Sequence, residues 1–186
     1  MNRLASLGLV AALALGGPAF AASKDEKRQD VRDTAQATLD RLYRSQPKAK
    51  AAVERSAGYA VFSNFGMKIF VAGGGSGSGI AVNRKAKAET FMKMVEVQAG
   101  LGIGVKKFRL VWVFEKTSDL DKFVNSGWEL GAQATASAQM SGQGMEAFAG
   151  AMSISPGVWL YQLTDDGLAV ELTAKGTKYY KDSDLN

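Results

Sequence analysis

From Ser23 to Gln46 apolar positions recur at Val31, Ala35, Leu39 and Leu42, spaced by four, four and three in an otherwise polar stretch. That is the period of a narrow apolar face on an α-helix. Pro47 interrupts it, and Lys48–Ser56 reads as a second short helix with the proline as its lead-in. At Gly58 the pattern changes to short runs of β-branched, aromatic and glycine residues divided by turn signals, which predicts antiparallel strands. Strands are expected near 58–62, 67–72, 79–83, 89–97, 100–105 and 109–115, followed by a short helix near Ser118–Asn125 capped by Thr117 or Ser118. Further strands are expected at about 128–138, 157–163 and 168–174. Thr164-Asp165-Asp166-Gly167 joins the last two as a hairpin, because Asp-Gly accepts the positive φ angles of a tight turn. Helices followed by a run of strands predict an α+β domain, with N-terminal helices packed on a curved antiparallel β-sheet or partial barrel.

Two of these segments have unusual faces. In Gly100–Val105 every glycine falls on one face, and in Leu130–Ala138 both faces are built of small residues. Two readings stay open: strong curvature or a helix pressed against the sheet, or a narrow apolar groove for an acyl chain. Gly73–Gly79 reads as a flexible hairpin connection, and Gln139–Met152, rich in Gly, Ala, Met and Ser without a clear period, as a mobile loop.

The N-terminus adds a compartment. A cation at Arg3, an apolar run Leu7–Leu15 and the small-residue site Ala19-Phe20-Ala21 form a secretory signal peptide with cleavage expected before Ala22. The apolar run is short of the ~20 residues that span a bilayer, and Gly16-Gly17-Pro18 breaks it. Residues 1–21 are therefore expected to be removed, leaving 22–56 as a helical segment and 57–186 as a β-rich part of one globular unit. The product is expected to be periplasmic or secreted. Without cysteine it carries neither a lipoprotein anchor nor a disulfide.

Composition narrows the chemistry. The chain has no histidine and no cysteine, which removes most hydrolase triads, thiol chemistry and the usual zinc and haem ligands. Gly75-Ser76-Gly77-Ser78-Gly79 matches the nucleophile-elbow string, but Ile80-Ala81-Val82 continues as a strand where a helix is required. Nor does the glycine-rich stretch fit a phosphate-binding loop, since no Gly-x-x-x-x-Gly-Lys-Ser/Thr is present and no helix follows. No catalytic residue, metal ligand or cofactor is assigned, and the protein is expected not to be an enzyme.

Charge supplies the candidate site. The net charge is +5, and between Asn83 and Arg109 seven cations stand against Glu89 and Glu96. In an up-and-down meander, turns two apart share one end of the sheet. On the expected strands Ser63–Gly66, Arg84–Lys87 and Lys106–Arg109 then lie together, combining cations with Phe65 and Phe108. Arg84, Lys85, Lys87, Lys106, Lys107, Phe108 and Arg109 thus form a candidate surface for anionic headgroups, with an aromatic ring dipping into the interface. The same lysines also suit solvated loop tips that guard sheet ends from aggregation.

Several segments together resemble the SYLF domain family: Tyr59-Ala60-Val61-Phe62, Gly74–Gly79 with Arg84 after it, Gln98–Val105, Leu130-Gly131, Gly167-Leu168 and Tyr179-Tyr180. The resemblance runs from about Lys48 to Tyr180. It implies a lipid-binding domain, with phosphoinositide and sometimes actin binding in eukaryotic relatives and lipid binding at the envelope in exported bacterial ones. Ser63 stands where many relatives have proline, and Ser141-Gly142 where they have a Gly-Pro-rich turn. The expected partner is an anionic phospholipid or membrane surface; compartment argues against nucleic acid and actin, and oligomeric state is left open. The alternative is a structural or adhesive envelope protein that binds protein or glycan.

Overall fold

The structure, a computed structural model, describes residues 22–69, 72–99, 104–127, 129–130, 148–164, 167–169 and 177–186. Helix α1 spans Lys24–Ser45 and α2 spans Pro47–Arg55. Ser23 starts α1 with a reciprocal cap: its Oγ accepts from the Glu26 backbone N–H at 3.1 Å, and the Glu26 carboxylate accepts from the Ser23 N–H at 2.5 Å. Such a box satisfies two otherwise orphaned donors and contributes about 1 kcal/mol. Ala35, Leu39 and Leu42 of the expected stripe are buried, and Thr38 joins them by returning its hydroxyl to the Thr34 carbonyl at 2.8 Å.

Four long strands carry the domain: β1 (Gly58–Ile69), β2 (Ala72–Asn83), β3 (Ala88–Ala99) and β4 (Gly104–Phe114). Helix α3 (Thr117–Ser126) follows, then β5 (Glu129–Leu130), β6 (Met152–Ser155), β7 (Val158–Thr164), β8 (Gly167–Ala169) and β9 (Thr177–Lys181). The strand order is β5-β9-β3-β2-β1-β4-β7-β6, with β8 also on β7, and every pairing is antiparallel. The sheet curls into a half-barrel, so the α+β architecture read from the sequence holds.

The strands differ from their expected lengths in an instructive way. β1 and β2 pair without a break from Gly58↔Asn83 to Ile69↔Ala72. Ser63–Gly66 is therefore strand rather than turn, and so is Gly73–Gly79. The glycines are needed for close approach. A Cβ on Gly77 would lie 2.5 Å from the Ser63 carbonyl oxygen and 2.8 Å from Met94 Cγ, and one on Gly79 would collide with the Phe62 ring. Likewise Lys106–Arg109 lies inside β4, and β6 begins at Met152, the last residue of the segment expected to be a loop. Lys116, not Thr117 or Ser118, stands at the N-cap of α3, without a side-chain capping bond. The expected strand residues 100–103, 131–138 and 170–174, and the signal segment, lie outside the described residues.

Each sheet face has its own core. On one side Phe62, Trp112, Phe114 and Tyr179 surround Phe123 of α3, with ring centroids 5.1–6.1 Å from that residue. On the other side Val61, Ile80, Phe91, Val111 and Val113 pack against α1 and α2. The final residues are fastened to the open edge of β3: the Asn186 amide donates to the carbonyls of Phe91 (2.8 Å) and Asp182 (2.7 Å), and its Oδ1 accepts from the Phe91 N–H (2.9 Å).

Candidate functional site

The long strands separate the seven candidate residues. Arg84, Lys85 and Lys87 are exposed on the turn between β2 and β3, at the Gly58 end of the sheet. Lys106 and Lys107 pair with Gly66 and Phe65, seven or more residues along β1 from that end, or roughly 23 Å at strand rise. Phe108, only 2 % exposed, belongs to the core on the α3 side of the sheet and is not available to a membrane. Arg109 is half-buried opposite Ser63. The co-location expected from a meander with short strands is thus corrected: two of its three turns are strand interior.

What remains at the Gly58 end is a compact basic turn. Asn83 Oδ1 accepts from the Ala86 N–H at 2.9 Å, and Lys87 takes a φ of 52°, the left-handed region. The Arg84 guanidinium donates to the carbonyls of Glu54 and Ser56, closing the C-terminal end of α2. Arg55, at the end of α2, is also exposed. The nearby carboxylates are engaged elsewhere: Glu54 faces Lys50 at 4.0 Å, and Glu89 accepts from Arg32 at 2.9 Å. Among the described residues, Lys85 and Lys87 have no ion-pair partner. A recess of about 460 Å³ beside the turn is bounded by Tyr59, Val82, Arg84, Lys87 and Glu89. Burial, and then Glu89, raises the Tyr59 phenol above its ordinary range, with Arg84 opposing.

A second, larger feature was not anticipated. Across five adjacent strands the residues Arg109, Ser63, Ser78, Lys93 and Tyr180 pair in one row. The row two residues nearer the Gly58 end is Val111, Val61, Ile80 and Phe91, packed under α1. Beyond that apolar row the sheet and α1 stand apart, leaving a cleft of about 700 Å³. Lys93 Nζ lies 2.9 Å from Asp182 and 3.1 Å from Asp184, and the bond to Asp182, then that to Asp184, raises its pKa. The readable signal was the same step on four strands, from an apolar residue to a polar one two positions along.

Among the described residues no helix is long and apolar enough to cross a membrane, and no group of acidic residues could hold a metal ion.

The frame is an α-helix pair laid on a curled antiparallel sheet, with a basic turn exposed at one end. Residues 95–186 match the family model described as Ysc84, Las17-binding protein actin regulator. The chain is similar to beta cell expansion factor A of Aeromonas veronii, a SYLF-family protein, with 33% identity over 162 residues. That match covers 86% of this chain and 59% of the relative, so this chain spans little more than half of that protein's length. Residues 95–186 thus carry the SYLF (Ysc84) domain, whose family is not a known enzyme family.

Proposed function

We propose that this protein is exported and binds anionic phospholipid reversibly at an envelope membrane, without catalysis, through the turn that joins β2 and β3. The carrying observation is Lys87. A left-handed backbone costs a residue with a Cβ about 1–2 kcal/mol, and glycine adopts it freely. A lysine held there at φ 52°, exposed and beside Lys85, favours a need for charge at the tip over backbone economy.

The energetics suit weak docking. Each cation at an anionic surface contributes about 1 kcal/mol, so Lys85 and Lys87 with Arg55 and Arg84 give roughly 3–4 kcal/mol before the recess beside Tyr59 adds anything. Such binding is screened within about 8 Å at physiological salt. The lipid association implied by the SYLF resemblance supports the same reading, as does the signal-like segment Leu7–Ala21. The actin regulation in the family's description is not carried over, because export would keep the two apart.

Co-sedimentation with vesicles tests it. Pelleting is expected with phosphatidylglycerol mixed into phosphatidylcholine at low salt, absent with pure phosphatidylcholine and lost as salt rises. No pelleting at low salt, or pelleting indifferent to salt, removes the reading.

A further inference from the structure

We infer that the cleft under the N-terminal half of α1 binds a polyhydroxylated ligand of no net charge, a short saccharide segment. Two separate elements change character at the same level. Along α1 the apolar stripe Leu42, Leu39, Ala35 and Val31 packs towards the sheet, and Thr34, Asp30 and Lys27 line the cleft beside its N-terminal end. On the sheet the packed row of Val111, Val61, Ile80 and Phe91 gives way to Arg109, Ser63, Ser78, Lys93 and Tyr180. A helix and a sheet that merely needed to close on each other would continue the apolar rows, since facing polar groups cost free energy when dried. Here both surfaces turn polar together and stay open.

The chemistry of the walls selects the ligand. Three cations, Lys27, Lys93 and Arg109, are matched by three carboxylates, Asp30, Asp182 and Asp184. Lys93 is already committed to two of those carboxylates. A phosphate or fatty-acid headgroup would gain no net attraction there, unlike at the basic turn. The hydroxyls of Thr34, Ser63, Ser76, Ser78 and Tyr180 both donate and accept, while the carboxylates only accept and the cations only donate. That mixed capacity complements sugar hydroxyls. Val31, Val61 and Leu185 supply an apolar patch for the C–H face of a sugar ring, and about 700 Å³ lies within the ~300–1,000 Å³ of small-molecule sites.

Titration of the ¹⁵N-labelled protein with chitotetraose, cellotetraose and maltotetraose tests this, with dihexanoyl phosphatidylglycerol and dodecanoate as competing probes. At least one oligosaccharide is expected to give saturable amide shifts centred on Ser63, Gly77–Gly79, Lys93 and Tyr180. Thr34→Val with Ser78→Val, both at exposed positions, should weaken that binding about tenfold, the worth of two modest hydrogen bonds. The double variant should leave vesicle binding and the far-UV spectrum unchanged, so failure here is distinguishable from failure of the membrane reading. Silence of these amides with every oligosaccharide, shifts produced there by the phospholipid or dodecanoate instead, or sugar binding that the double variant does not weaken would each overturn the inference.

Discussion

Replacing Lys87 separates backbone strain from charge in one residue. Lys87 holds φ 52° on an exposed turn. Lys87→Gly releases about 1–2 kcal/mol of left-handed strain and costs about 0.5–1 kcal/mol in unfolded-chain entropy. The net is a gain of about 0.5–1 kcal/mol, equivalent to roughly 1–4 °C in Tm for a chain of this size. Lys87→Ala keeps the Cβ and so gains nothing in stability. Both variants lose one cation at the tip, worth about 1 kcal/mol or about fivefold in vesicle affinity at low salt. Urea unfolding and titration with phosphatidylglycerol vesicles read the two quantities separately. The reasoning is refuted if the glycine variant is less stable than the parent, or if both variants bind vesicles as well as the parent does.

Other outcomes follow from the same geometry. Gly77→Ala places a methyl 2.5 Å from the Ser63 carbonyl oxygen and should cost about 1–3 kcal/mol in urea unfolding; a neutral result would show that β1 and β2 do not approach as closely as described. Asn186→Ala removes two hydrogen bonds to Phe91 of β3 and one to the Asp182 carbonyl. It should cost about 1–2 kcal/mol and speed hydrogen exchange at Phe91, and unchanged exchange would count against that clamp. Burial pushes the phenols of Tyr43 and Tyr161 from 10.0 up to about 12, with Tyr59 and Glu54 adding to the rise at Tyr43. The folded state holds these protons more tightly, so stability should be level to about pH 10 and fall as pH rises towards 12. Lys93, raised by Asp182 and Asp184, loses its contribution in the same direction, above 10.5. Phenolate absorbance showing all five tyrosines ionised in the ordinary tyrosine range without loss of fold would contradict this.

The fold was legible where one face had to be dry. The spacing of Ala35, Leu39 and Leu42 placed α1, Pro47 started α2, and the apolar runs of β3 and β7 located those strands to within a few residues. Glycine and serine misled the reading because their weak strand propensity is a statement about isolated side chains. In β2 the backbone is paired on both sides, and Gly77 and Gly79 serve neighbours that come too close for a Cβ. That error propagated to the site, because counting turns to decide which loops share an end fails once two of them are strand. The basic turn at Arg84–Lys87 survived, since it is local. The cleft could not be read from one strand at a time; it exists only when Arg109, Ser63, Ser78, Lys93 and Tyr180 are brought into one row by the register. β9 and the tail that completes the wall gave too short a pattern to be recognised.

The membrane claim comes down to which lysines touch lipid. Charge reversal at Lys85 and Lys87 leaves the Arg84 bonds to α2 in place, and reversal at Lys106 and Lys107 alters the same number of charges elsewhere on the sheet. Measured side by side in phosphatidylglycerol co-sedimentation at low salt, the first pair should abolish pelleting while the second reduces it only modestly. Equal loss from both pairs, or pelleting that survives reversal of Lys85 and Lys87, would contradict docking through the β2–β3 turn.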